Sequence, residues 1–93
     1  MITAIVFINA EVSSIPEVAE RIAAIDGVSE VYSVTGEIDL IAMVRVREHD
    51  EIAIVVPGGI NKVPGVLATE THIAFQAYSQ HDLEAAFSIG LDD

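Results

Sequence analysis

The chain carries one short pattern twice, and this duplication constrains its fold more than any other feature. Gly27-Val28 follows an apolar helical stripe and opens a β-rich run, and Gly65-Val66 does the same at an offset of 65 − 27 = 38 residues. At that offset Ile22 corresponds to Ile60. Two consecutive βαβ units of this length predict a four-stranded antiparallel sheet with both helices on one face.

The first unit begins with a β-favouring apolar run from Met1 to Asn9, which predicts a central strand. A helix is expected next, with Ser14 as its cap, Pro16 in its first turn and Glu17 completing a capping box. One apolar stripe runs along this helix and consists of Ile15, Val18, Ile22 and Ile25.

From Val28 to Arg47 the sequence predicts a β-hairpin, because two β-rich runs are joined by Gly36-Glu37, which suits a type II′ turn. In that register Val34 pairs with Asp39, and Tyr32 pairs with Ile41. The second arm carries apolar residues on both faces. One face is therefore expected to meet the helices and the other a partner subunit.

The second unit continues with helical spacing from Glu48 to Val63, interrupted at Pro57-Gly58-Gly59, where proline cannot donate its backbone hydrogen bond. A last strand from Val66 to Gln76 and a short helix from Ser79 to Ser88 follow. The fold class predicted is α+β, a ferredoxin-like βαββαβ plait with an extra C-terminal helix, forming one domain over residues 1–93.

Charge and composition exclude several classes of function. The net charge is −11, from fifteen acidic and four basic residues, so phosphate backbones and anionic membranes would be repelled. No apolar run is long enough to span a bilayer. The chain has no cysteine, which excludes disulfides and thiolate sites and fits a cytoplasmic protein.

Asp39 is the residue that most suggests a binding site, because a carboxylate in an apolar strand loses hydration unless something compensates it. Thr35, Gly36 and Glu37 precede it and supply a hydroxyl, backbone amides and a second acid. The protein carboxylates could bind an ammonium group of a ligand, and the N–H and O–H groups could donate hydrogen bonds to a ligand carboxylate. Those are the two ends of an α-amino acid.

The segment Val28-Ser29-Glu30-Val31-Tyr32-Ser33-Val34-Thr35-Gly36-Glu37-Ile38-Asp39 resembles the Tyr-x-x-Thr-Gly-x-x-Asp hairpin of the Lrp/AsnC family of amino-acid-responsive regulators. Pro64-Gly65-Val66, followed by Thr69-Glu70-Thr71, is similar to the closing strand of that family. The resemblance covers about the whole chain.

The resemblance implies a ligand-sensing (RAM) domain whose sheets pack back to back in a dimer, with dimers assembling into tetramers, octamers or decamers. Amino-acid effectors would bind between dimers, beside the hairpin turn. The ligand-binding residues carried over are Tyr32, Val34, Thr35, Gly36, Glu37, Asp39, Thr69 and Thr71. A basic helix-turn-helix precedes this domain in full-length regulators. The present chain begins at the first strand, so we expect a stand-alone form that does not contact nucleic acid and that modulates full-length relatives by mixed assembly.

Several of these residues have a simpler interpretation. Asp39 would alternatively be a structural carboxylate capping turn amides, and Tyr32 an interface aromatic. Thr69 and Thr71 suit any strand. The histidines at positions 49, 72 and 81 are scattered and are interpreted as surface residues, so neither a metal nor a cofactor is predicted.

Two rival functions remain from other classes. Ferredoxin-like dimers include small cofactor-free monooxygenases and isomerases, but the sequence offers no nucleophile–base pair with a third orienting group, so we do not predict an enzyme. A purely structural partner domain is the other alternative, and it differs from the sensing domain in showing no response to any amino acid.

Overall fold

A computed structural model describes residues 1–80, which form a four-stranded antiparallel sheet covered on one face by two helices. The spatial strand order is β2-β3-β1-β4, and the ferredoxin-like prediction is confirmed. The elements in chain order are β1 (Ile2–Ala10), α1 (Ile15–Ala23), β2 (Val28–Ser33), β3 (Leu40–Val46), α2 (His49–Val55) and β4 (Val66–Ala74), with short 3₁₀ turns at Val12–Ser14 and Ile60–Lys62.

The core lies between the helices and one face of the sheet and is entirely aliphatic. Alternate residues of β1 and β3 point into it, because successive side chains of a strand face opposite sides. Val18 and Ile22 from α1, and Val55 from α2, close it from the other side. Burying one such side chain contributes about 1.5–3 kcal/mol. The fully buried larger side chains are Val6, Ile8, Val18, Ile22, Leu40, Val44 and Ile60.

The β2–β3 hairpin has the predicted register. Tyr32 lies opposite Ile41, and the N–H of Val34 donates to the carbonyl of Asp39 at 3.1 Å. The predicted two-residue turn is too short, because regular strand ends at Ser33 and resumes at Leu40. The connection is therefore the longer loop 34–39, in which Gly36 adopts a φ of +111°.

The first helix begins where predicted but without the predicted capping box. Ser14 occupies the N-cap position, yet its side chain makes no capping hydrogen bond. The chain enters α1 from a 3₁₀ turn, in which the N–H of Ser14 donates to the carbonyl of Glu11 at 2.9 Å. A capping box is present instead at α2, between Glu48 and Glu51.

The second unit is broken at the predicted place. Helix α2 ends at Val55, and a 3₁₀ turn resumes at Ile60 beyond Pro57-Gly58-Gly59. Strand β4 ends at Ala74, two residues before the predicted Gln76. The predicted C-terminal helix falls almost entirely on residues 81–93, outside the described part of the chain. Within residues 1–80, no helix is long and apolar enough to cross a membrane.

Candidate functional site

A cleft of about 350 Å³ lies where the hairpin loop meets the ends of β1 and β4. Ligand pockets in proteins begin at about this size. Two glutamates, an asparagine, a threonine and a phenylalanine are among the residues of its walls. The residues that line it are Phe7, Asn9, Glu37, Ile38, Ala68, Thr69 and Glu70.

The structure brings two of the predicted ligand residues into this cleft, Glu37 from the loop and Thr69 from β4. Thr35 and Gly36 are exposed in the same loop, and Val34 closes the base of the loop through its bond to the Asp39 carbonyl. Four predicted ligand residues thus belong to the loop beside the cleft, namely Val34, Thr35, Gly36 and Glu37. Of these four, only Glu37 lines the cleft.

Asp39 lies at the base of the loop and bonds to the end of β1. Its Oδ2 accepts a hydrogen bond from the N–H of Ala10 at 2.9 Å. Its own N–H donates to the carbonyl of Ile8 at 3.1 Å. The alternative interpretation was that Asp39 is a structural carboxylate that caps turn amides. Its side chain does bond to a backbone amide, but that amide belongs to the neighbouring strand β1 and not to the turn.

The remaining predicted residues, Tyr32 and Thr71, are placed away from the cleft. Tyr32 lies on the sheet face that the helices leave uncovered. Thr71 is opposite Val6 in the register and therefore points toward the helical face. Thr69 also belongs to that face by register, and its hydroxyl donates to Oδ1 of Asn61 at 2.7 Å.

Sequence reasoning missed the other five lining residues, which are Phe7, Asn9, Ile38, Ala68 and Glu70. Phe7 pairs with Glu70 across β1 and β4, and Asn9 pairs with Ala68, so all four side chains face the uncovered side of the sheet. The available signal was Asn9 itself, a polar residue closing an otherwise apolar run. The register in which β1 pairs with β4 could not be predicted from the sequence.

A charged cluster lies on the same uncovered face, along β2 and β3. Nη1 of Arg45 and Oε1 of Glu30 form an ion pair at 3.0 Å. The Arg45 hydrogen bond, together with the Tyr32 side chain, holds the pKa of the Glu30 carboxyl below its usual value. The neighbouring Glu30 carboxylate in turn raises the pKa of the Tyr32 hydroxyl. The tyrosine is therefore held in its neutral form over a wider pH range.

On β4, His72 and Glu70 form a second pair, with Nε2 of the imidazole 2.6 Å from Oε2 of the carboxylate. The prediction of scattered surface histidines missed this partner two residues away, although both side chains are exposed. The imidazole also meets the edge of the Phe7 ring at a centroid distance of 5.1 Å. Among residues 1–80, no three side chains of the ligating types are grouped to hold a metal ion.

The uncovered sheet face is apolar at its centre. Ile5 and Phe7 of β1 lie opposite Met43 and Ile41 of β3, and all four are half-buried in the isolated chain. A contiguous apolar surface of this kind is unusual on a monomer and is typical of a face that packs against another surface.

A sequence model described as the Lrp/AsnC ligand binding domain matches residues 3–83. The chain belongs to the Lrp/AsnC family. An uncharacterised HTH-type transcriptional regulator of Pyrococcus horikoshii is 44% identical over 59 residues, which are 63% of this chain and 39% of that protein. A second such regulator of the same organism is 35% identical over 75 residues, 81% of this chain and 50% of that protein. The chain thus spans half or less of the length of these curated relatives.

Solved structures place this Lrp/AsnC chain among proteins of similar size as well as longer ones. The crystal structure of TTHA0845 from Thermus thermophilus is 45% identical, with a TM-score of 0.81, covering 86% of this chain and 100% of that one. The regulator NMB0573 of Neisseria meningitidis, solved as a complex with L-Met, is 12% identical with a TM-score of 0.75, covering 85% of this chain and 53% of that one. At 12% identity this likeness shows the fold alone.

Proposed function

We propose that this domain binds an amino acid in the cleft beside the 34–39 loop and converts binding into a change of assembly. The observation that carries the proposal is the cleft itself, which opens where the family's Thr-Gly-x-x-Asp loop meets β1 and β4. Its volume of about 350 Å³ suits a small zwitterion, and a regulator of the same fold solved as a complex with L-Met supports an amino acid as the proposed ligand class.

The chemistry of the cleft fits both ends of such a ligand. The carboxylates of Glu37 and Glu70 are acceptors for an ammonium group, and the Asn9 amide supplies both a donor and an acceptor. Ile38 offers apolar surface for a side chain. We place the ligand at the seam between dimers, where a second protomer completes the wall that a single chain leaves open.

The uncovered sheet face is proposed as the dimer interface. Its half-buried centre, formed by Ile5, Phe7, Ile41 and Met43, is apolar on a chain that otherwise carries strong negative charge. Two such faces stacked about 10 Å apart would form one shared core. Dimers of dimers, up to octamers or decamers, and mixed assemblies with full-length relatives in the cytoplasm are the larger states proposed.

The mechanism is thermodynamic linkage. An amino acid that binds only the assembly containing the complete cleft stabilises that assembly over the others. The shift is set by the difference in affinity between the two states. No direct DNA contact by this domain is proposed, because its charge repels phosphate. A catalytic role is not proposed, since the relatives are named as transcriptional regulators.

The test is a thermal-shift screen of the twenty L-amino acids, each tested singly, with light scattering on the same samples. We expect one amino acid, or a chemically related few, to raise the melting temperature and to change the mass distribution. At a concentration about 100 times its Kd, a ligand adds about 2.7 kcal/mol of stability. If none of the twenty amino acids changes the melting temperature or the mass distribution, the proposal is contradicted and a structural partner domain is favoured.

A matched pair of variants localises the response. Glu37→Gln removes a carboxylate from the cleft wall, and Glu20→Gln removes one from the exposed surface of α1. We expect the first to weaken the response about tenfold or more, since a hydrogen bond to a charged group contributes about 1.5–3 kcal/mol. The second should leave the response unchanged. If both variants weaken the amino-acid response equally, the total charge of the chain governs the response and the cleft does not.

A further inference from the structure

The end of β1 contains an irregularity beside the cleft. Asn9 pairs with Ala68 of β4, but the next residue, Ala10, pairs with Val66, so that Leu67 is an extra residue on β4. This is a β-bulge, a feature that bends a strand locally and redirects its side chains. Asn9 is exposed and lines the cleft opposite the small side chain of Ala68, which leaves space in front of the amide.

Asp39 holds the backbone on both sides of Asn9. Regular pairing of β1 with β3 stops at Ile8 and Leu40. One residue further, the N–H of Asp39 donates to the carbonyl of Ile8 at 3.1 Å, and its Oδ2 accepts from the N–H of Ala10 at 2.9 Å. The carboxylate therefore takes the place of a β3 partner for the Ala10 N–H, while Ala10 still pairs with Val66 of β4. The residues before and after Asn9 are fixed by one side chain and its own backbone.

The same residue also anchors the loop. The carbonyl of Asp39 accepts the N–H of Val34 at 3.1 Å, which closes the 34–39 loop carrying Glu37 into the cleft. Asp39 thus connects the loop wall and the β1 wall of the cleft.

We propose that Asn9 is a ligand-recognition residue of the cleft and that Asp39 is the positioning residue that aims it. This inference rests on the proposed amino-acid binding. The Asn9 amide pairs with either end of a zwitterion, through its NH₂ group or its carbonyl oxygen. Asp39 acts on the ligand through the strand end, because it is not among the residues that line the cleft and its Oδ2 is bonded to the Ala10 N–H.

The experiment compares Asn9→Ala, Asp39→Asn and Asp39→Ala with the wild type. Two readouts are used, the hydrogen-exchange rate of the Ala10 amide by NMR without any amino acid, and the affinity for whichever of the twenty L-amino acids binds the wild type. Asparagine retains a side-chain acceptor for the Ala10 N–H, whereas alanine does not. The conservative variant therefore separates positioning from direct charge contact.

We expect Asn9→Ala to weaken amino-acid affinity about tenfold, the usual order for a lost polar contact, while Ala10 exchange stays at the wild-type rate. Asp39→Asn should keep both readouts within a few-fold of the wild type. Asp39→Ala should accelerate Ala10 exchange about tenfold and weaken affinity by the same order. The double variant Asn9→Ala/Asp39→Ala should bind no more weakly than Asn9→Ala alone, because the two residues act in series.

Two results would overturn the inference and make Asp39 a direct ligand contact. One is a loss of affinity in the double variant equal to the sum of the two single losses, and the other is an Asp39→Asn variant that binds as weakly as Asp39→Ala. If Asp39→Ala does not fold, the comparison of Asn9→Ala with Asp39→Asn decides the matter alone. A wild type silent to all twenty amino acids overturns the proposed function together with the role of Asn9. In that case, Ala10 exchange in Asp39→Asn and Asp39→Ala still shows whether the carboxylate holds the strand end.

Discussion

Gly65, at the entry to β4, packs directly against the side chain of Val18 from the helix of the other βαβ unit. A Cβ placed on Gly65 would lie 2.7 Å from Cγ2 of Val18. The mirror contact exists in the first unit, where a Cβ on Gly27 would lie 2.7 Å from Cγ2 of Val55 in α2. Each glycine of the duplicated pattern therefore lets the helix of the opposite unit approach its strand.

Gly65→Ala should destabilise the fold more than Gly36→Ala. Both glycines have positive φ, +98° and +111°, so alanine at either position costs about 1–3 kcal/mol of backbone strain. Only Gly65 adds a steric contact, for which overpacking costs about another 1–3 kcal/mol. No atom lies within 4 Å of a Cβ on Gly36. Chemical denaturation of the two variants measures the difference, and equal losses would show that Val18 moves aside freely.

The start of α2 should depend on its capping box more than α1 depends on Ser14. Oε2 of Glu51 accepts the N–H groups of Arg47 at 2.8 Å and Glu48 at 3.2 Å. Glu51→Ala is expected to lower the free energy of unfolding by about 1 kcal/mol, the usual effect of losing a helix cap. Ser14→Ala should change it by less than about 0.5 kcal/mol, because its side chain makes no capping bond. Urea titration of both variants provides the comparison, and the reverse ranking would contradict the cap assignment.

The titrations of Glu30 and Tyr32 should be coupled. The neighbouring carboxylate raises the pKa of Tyr32, so Glu30→Ala is expected to bring that pKa down. Near-ultraviolet absorbance of tyrosinate reports the titration, and a Tyr78→Phe background removes the exposed second tyrosine. An unchanged Tyr32 titration would mean that the two side chains do not interact in solution.

The Arg45–Glu30 pair should stabilise the fold at neutral pH and lose its effect in acid. The pKa of Glu30 is lowered in the folded state, chiefly by Arg45, so the stabilisation is present above the ordinary glutamate pKa. It is lost as the pH falls through the lowered value and the carboxyl takes up a proton. The melting temperatures of wild type and Glu30→Gln should therefore converge on acidification. The effect is expected to be small because both side chains are exposed, and divergence in acid would contradict the assigned sign.

Ile41→Glu should dissociate the proposed dimer. Ile41 lies at the centre of the uncovered sheet face, and a charge there would be buried without a partner in a stacked dimer. Ile54→Glu is the matched control, because Ile54 is 69% exposed on α2. Sedimentation velocity should give a monomer for the first variant and wild-type mass for the second. A dimer that survives Ile41→Glu would place the interface elsewhere.

The sequence by itself determined the architecture of this protein. Three patterns could be recognised in the sequence, and the structure confirms the elements that they predicted. They are the 38-residue repeat, the apolar spacing of α1 and the break at Pro57-Gly58-Gly59. The hairpin register was also readable, because the apolar alternation of neighbouring strands fixes which side chains face the core. The Tyr-x-x-Thr-Gly-x-x-Asp segment and the later Pro64-Gly65-Val66 segment together indicated the Lrp/AsnC family, which the family model over residues 3–83 confirms.

Only the tertiary structure decided how the candidate site is built. Asp39 bonds to an amide 29 positions away, and Asn9 lines the cleft where β1 pairs with β4, next to a bulge in β4. Such contacts depend on where three strands stop pairing with one another, a balance of register and backbone bonding that no short window of sequence records. Ser14 shows the same limit, since its cap is excluded by the 3₁₀ turn through which the chain leaves β1. Local periodicity therefore specifies the elements, and the backbone groups left unpaired at their ends specify the site.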